Sequence, residues 1–334
     1  MKFGMVPVDE AENAILAHGL RLESATLKKG QIVTAARRRA LSEAGVEKIV
    51  VARLDPGDVG EDEAARRVAE RLAGAHLRRE PPFAGRVNLF AQAAGLVVVD
   101  AKAINRVNGV DEAITVATLA PFRVVAAGDM AATVKIIPFV APGAALETAC
   151  AALPAGGAVS IAPFRPLRFA VASTTLPGLA ASVVAGTLRT LEARLAPAGA
   201  SIVAEERVAH EPGALAGALE RLAAKGDALV IFGASAVADR RDVVPAAIET
   251  FGGRIERFGM PVDPGNLLLL AARGDLPIVG APGCARSPKE NGFDWVLQRI
   301  LAGVPIAGAD IEAMGVGGLL TEIASRPQPR LGDV

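Results

Sequence analysis

From residue 168 onward, apolar runs alternate regularly with stretches of helical spacing. The runs 168–173, 200–208, 227–232 and 276–280 read as strands, with 254–259 and 267–271 as shorter ones. Helices are expected over 179–195, 212–225, 242–251 and 288–301. Strands that are apolar on both faces, separated by helices, predict a parallel sheet covered on both sides.

The first half has a less regular texture. A short helix is expected over 6–18, strands over 30–34 and 48–52, and a helix over 35–44 with Gly45 at its C-terminal stop. Asp55-Pro-Gly-Asp58 composes a turn. A strongly amphipathic helix covers 61–73. Beyond it, 86–90, 95–100, 122–126 and 133–137 read as strands. Residues 102–106 and those from Asp111 onward read as short helices, and 146–153 as an Ala-rich one. The Pro and Gly density of 154–166 predicts a linker. The layout is therefore a small β-rich and helical module (1–60), a mixed α+β region (61–153), a linker (154–167), an α/β domain (168–325) and a tail (326–334).

Charge and composition narrow the function classes. Lys+Arg and Asp+Glu are both 36, for a net charge of +0. No global field recruits nucleic acid or a membrane surface, so an anion site has to be local. Aromatic residues make up only 4%, which leaves little platform for base stacking. Two cysteines form no disulfide framework, and a reducing cytoplasm is the simpler expectation. Residues 169–188 carry no charge, but Thr174, Thr175, Pro177, Gly178 and Ser182 break them up, so no membrane span is expected.

Candidate chemistry lies where strands end. Phe232-Gly-Ala-Ser-Ala-Val-Ala-Asp239 delivers Gly233, Ala234 and Ser235 to a strand's carboxyl end, followed by Asp239 and Asp242. Glycine permits close backbone approach to a ligand, and a carboxylate beside a phosphate makes sense with Mg²⁺ between them. Asp242 also fits a helix N-cap, with Pro245 in the first turn. Pro282-Gly283-Cys284-Ala285-Arg286-Ser287 turns the chain after the last strand and offers successive amides to an anion. Ser287 and Glu290 fit a capping box with Pro288 at the first helical position, whereas Arg286 and Lys289 are free for charge complementarity. Thr174 and Thr175 close the first strand of the domain, and Asp263-Pro264-Gly265 is a turn signature. Three of these loops leave carboxyl ends of predicted parallel strands and so share one sheet edge.

On these residues the chain resembles the molybdopterin-binding domain of molybdopterin molybdotransferase (MoeA) and molybdopterin adenylyltransferase (MogA). The family's Gly-Gly-x-Ser…Gly-Asp loop is similar to Phe232-Gly233-Ala234-Ser235…Ala238-Asp239. Its Lys-Pro-Gly turn is similar to Asp263-Pro264-Gly265, and its Pro-Gly-Asn-Pro-x-Ser loop to residues 282–287. The whole chain resembles MoeA-like proteins. The resemblance implies a three-layer parallel-sheet domain that binds molybdopterin or its adenylate, with Thr174, Thr175, 233–235, Pro264, Gly265, 282–284, Arg286, Ser287 and Lys289 as ligand contacts. It implies Asp239 and Asp242 as catalytic and Mg²⁺-handling carboxylates, molybdate as substrate, and a homodimer that serves a molybdenum enzyme. The chain departs from the family where the Asp-Glu pair of the first loop is replaced by Leu176-Pro177. That departure leaves open two readings: molybdate insertion, and a carrier or sensor without turnover. A different nucleotide- or sugar-phosphate-binding α/β protein is a third.

Overall fold

The computed structural model describes residues 1–23 and 25–320 and divides the chain into two compact units, Met1–Pro163 and Phe164–Val334. The expected tail, 326–334, lies outside the described residues.

The first unit has two apolar cores. One gathers Val8, Leu16, Leu27, Leu41 and Val51. Around it, strand Lys2–Pro7 pairs antiparallel with Lys48–Arg53, and Ile15–Leu16 pairs with the other edge of the latter. The helix expected over 6–18 is thus a strand, a single 3-10 turn at Val8–Glu10 and another strand. Pairing with Lys48–Arg53 satisfies the backbone that a helix would have satisfied internally. The stretch expected as a strand over 30–34 contributes one bridge, Ile15 to Ile32, because Thr34 is spent as N-cap of helix Ala35–Glu43.

The second core packs helix Glu61–Leu72 over the sheet that contains Arg86–Ala91 and Met130–Ile136. Residues from Asp111 form a capped turn and strand Ile114–Thr118 instead of a helix; the β-branched Ile114, Thr115 and Val116 favour the strand. Residues 159–163, inside the expected linker, form a strand paired with Gly95–Val99. The Pro and Gly residues of 154–157 make only the turn before it.

The second unit carries strands β1 (Arg168–Thr175), β2 (Ser201–Ala209), β3 (Ala228–Phe232), β4 (Arg254–Phe258), β5 (Leu269–Arg273) and β6 (Leu276–Ala281), in the order β2-β1-β3-β6-β5-β4. Helices α1 (Ala181–Leu195) and α4 (Gly292–Ala302) cover one face through Phe169, Val171, Phe232 and Phe293. Helices α2 (Pro212–Ala223) and α3 (Val243–Thr250) cover the other through Ala170, Leu219, Ile231 and Ile248. Full burial of each large side chain stabilises by roughly 1.5–3 kcal/mol.

The sheet is mixed, not wholly parallel. β2, β1, β3 and β6 run parallel, but β5 is antiparallel to β6, and β4 to β5. The connection from Arg273 to Leu276 through Gly274 and Asp275 is a tight hairpin, and a parallel neighbour would need a crossover of a dozen residues or more. Among the described residues no helix is long and apolar enough to cross a membrane.

Candidate functional site

The strand order reverses between β1 and β3, since the chain leaves β1 for β2 on one side and returns to β3 on the other. Such a switch point opens a crevice outside the carboxyl ends. A cavity of about 180 Å³ lies there, lined by Leu179 and Val183, by Gly233, Ser235 and Val237 after β3, and by Pro282, Gly283 and Arg286 after β6. Gly233 suits its place, because a Cβ there would sit 2.9 Å from the Ser235 carbonyl oxygen.

Thr174 ties β1 to this edge. It is buried, and its Oγ1 accepts the Ala234 N–H at 2.7 Å and lies 2.8 Å from His210 Nδ1. The Thr175 hydroxyl instead donates to the Val208 carbonyl on β2, away from the cavity. Of the two threonines, only Thr174 therefore shapes the loop after β3.

Arg286 is the centre of charge. Its Nη1 donates to Thr187 Oγ1 on α1 and its Nη2 to the Gly233 carbonyl, each at 2.8 Å. The guanidinium lies 5.5 Å from the centroid of the Phe232 ring. These contacts use two of its five N–H donors, and none of them is a carboxylate. Burial without a counter-charge pushes its pKa down. The expected nest of amides is less open: the Ala285 N–H closes a turn onto the Pro282 carbonyl at 3.0 Å.

Arg194, on α1, holds the loop from behind. It donates to the carbonyls of Ala285 (2.9 Å), Ser287 (2.7 Å) and Lys289 (3.3 Å) and pairs with Asp294 at 2.6 Å. The capping box expected at Ser287 and Glu290 forms four residues later, between Asn291 and Asp294, where the helix starts. Asp294 wins because the same carboxylate serves the Asn291 N–H and Arg194. Ser287 Oγ accepts from the Lys289 N–H, and Glu290 accepts from the Trp295 indole. The Lys289 side chain is exposed.

The two aspartates are not arranged as a pair around a metal. Asp242 caps α3; its oxygens accept from the Val243 N–H at 2.7 Å and the Ala238 N–H at 3.2 Å. Asp239 is exposed and pairs with Arg241 at 2.8 Å, which holds its carboxyl below the usual carboxylate range. Among the described residues no group of three His, Cys, Asp or Glu is placed to hold a metal ion. The described residues thus build no cage of three such groups for a resident Mg²⁺.

Pro264 and Gly265 brace α4 and do not line the cavity: the Pro264 carbonyl accepts the Gly292 N–H at 2.8 Å. The Cys284 carbonyl accepts the Ser287 N–H. Sequence reading missed Arg194, Thr187 and His210. Their partners are remote in sequence, and only the apolar spacing of α1 hinted that two of them share a helix.

No family model and no curated protein matches the chain. Solved structures do match it. A molybdopterin biosynthesis MoeA protein from Pyrococcus horikoshii is 13% identical, over 91% of this chain and 75% of that one, with a TM-score of 0.33. A molybdenum cofactor biosynthesis protein from Pyrococcus furiosus is 10% identical, over 93% and 65%, with a TM-score of 0.27. The molybdopterin biosynthesis enzyme MoaB from Thermus thermophilus is 17% identical, over 42% and 98%, with a TM-score of 0.30.

Proposed function

We propose that the second unit binds the phosphate of a pterin, molybdopterin or its adenylate, at the carboxyl edge of β1, β3 and β6. One observation carries the reading: Arg286 is half-buried in a cavity wall with no carboxylate partner among the described residues. A desolvated cation is costly alone, and an anionic ligand compensates it. Gly233, Ala234, Ser235, Pro282, Gly283 and Arg286 would form the contact surface. Thr174 and Ser287 would act by holding the loops, and Lys289 would lend charge at the rim. The pterin identity comes from the motifs of residues 232–239 and 282–287.

Molybdate insertion would need Mg²⁺ brought in with the phosphate, since Mg²⁺ is commonly held by one or two carboxylates plus substrate oxygens. Asp239 is the more accessible carboxylate for that role: it is exposed and its partner is the neighbouring Arg241, whereas both Asp242 oxygens serve backbone amides at the start of α3. When bound, the ion would neutralise charge on the phosphate. The same commitment of Asp242 favours the second reading, a carrier or sensor of the cofactor without turnover.

Calorimetry with molybdopterin and with its adenylate tests the binding reading: wild type binds, and Arg286→Met loses at least tenfold in affinity, the scale of one charge-assisted hydrogen bond. Equal affinity in the variant overturns it. Incubation with the adenylate, molybdate and Mg²⁺ separates the other two readings, because AMP release marks an enzyme and retention of intact adenylate a carrier.

A further inference from the structure

A second cavity runs along the outer face of α1. It holds about 550 Å³ and is lined by Ser182, Gly186, Thr187, Arg189, Thr190 and Arg286, among others. Arg286 and Val183 also line the 180 Å³ cavity, so the two share one guanidinium. The hydroxyl protons of Thr187 and Thr190 are committed to the carbonyls of Val183 and Gly186 one turn earlier. The groove's charged donors are therefore the two arginines. The Arg189 side chain makes no hydrogen bond or ion pair with any described residue, and the Arg286 side chain makes none with a described carboxylate. An acid three or four positions away on a helix is the neighbour that can pair with an exposed arginine. Here positions 185, 186, 192 and 193 offer only Glu192, and Arg189 is not paired with it.

We propose that the α1 groove is a second anion subsite: a ligand whose first charged group sits at Arg286 carries a second phosphate-type group that Arg189 binds. The inference rests on the anion reading of Arg286 and adds the class of ligand, a small molecule with at least two phosphate-type charges. Guanidinium donors suit such a group, since planar N–H pairs match phosphate oxygens. A small molecule fits better than an acidic peptide because the groove and the cavity at the sheet edge share the Arg286 guanidinium, which one compact ligand can meet from either side.

The test is a ladder of inorganic phosphate, pyrophosphate and tripolyphosphate, titrated calorimetrically into the full chain at fixed ionic strength. Wild-type affinity is expected to rise roughly tenfold along the ladder, the scale of one added charge-assisted contact. Arg189→Ala flattens the rise while leaving phosphate affinity unchanged, and Arg189→Lys restores part of it. A rise that persists in Arg189→Ala, or a flat ladder in wild type, overturns the subsite. Pterin binding is measured separately: pterin bound with a flat ladder sinks the subsite alone, and a steep ladder without pterin binding sinks the pterin reading alone.

Discussion

The Oγ1 of Thr174 lies 2.8 Å from the Nδ1 of His210 while accepting the Ala234 N–H at 2.7 Å. The hydroxyl, with one proton and two lone pairs, thus bonds a backbone amide and an imidazole at once. The ends of β1, β2 and β3 are thus stitched together by one side chain.

Thr174→Val removes the stitch at nearly constant volume. It leaves a buried donor at Ala234 unsatisfied and is expected to cost about 1–3 kcal/mol. Thr174→Ser restores most of that. Urea denaturation gives the cost, and phosphate titration of the same variants should show weaker binding in Val than in Ser.

The Arg194–Asp294 pair is almost wholly buried, with side-chain exposures of 9% and 12%. Removing one partner strands the other charge, so Arg194→Ala or Asp294→Ala is expected to destabilise by about 3–5 kcal/mol. The double variant Arg194→Ala with Asp294→Ala should lose less than the sum of the single losses. A double-mutant cycle from denaturant midpoints measures the coupling, and strict additivity would contradict the contact.

Gly265 has a φ of +145° and a Cβ there would meet the Gly292 backbone at 2.9 Å. Gly265→Ala is therefore overpacked and conformationally strained, at a cost of about 1–3 kcal/mol. Thermal unfolding of the variant checks this, with Gly274→Ala as a comparison whose Cβ meets nothing within 4 Å and which carries only the strain of its φ of +58°.

Asp227 accepts hydrogen bonds from the backbone and the guanidinium of Arg168, which hold its carboxyl below the usual value. The folded protein therefore binds this proton less readily than the unfolded chain. The contribution is complete above the unfolded carboxylate pKa of about 3.9 and disappears as pH falls through the lower folded value. Asp227→Asn should make the acid limb of a stability–pH curve shallower without steepening any part above pH 5. An unchanged limb would contradict the assignment.

The strands and helices of the second unit were legible because burial on two faces writes itself as local apolar runs, as in 228–232. The direction of β5 is also encoded, in the Gly274-Asp275 hairpin, which is too short for the crossover that a parallel neighbour needs. The start of α4 was misplaced because Ser287…Glu290 and Asn291…Asp294 have the same spacing. Arg194, 100 positions away from Asp294, decides between them. The segment 6–18 was misread for a similar reason, since its partner strand lies at 48–53. The arginine at 286 was readable as a charge on a loop. Its lack of a carboxylate was not, because that depends on everything folded around it.

The three carbonyls gathered by Arg194 have a consequence for recognition. A loop that must be frozen when its ligand arrives loses affinity to the ordering, by roughly 0.5–1.5 kcal/mol for each immobilised side chain. Residues 285–289 are already held by folding, through a guanidinium that lines neither cavity. Variation in affinity among related chains should accordingly track position 194 as closely as the residues lining the cavity.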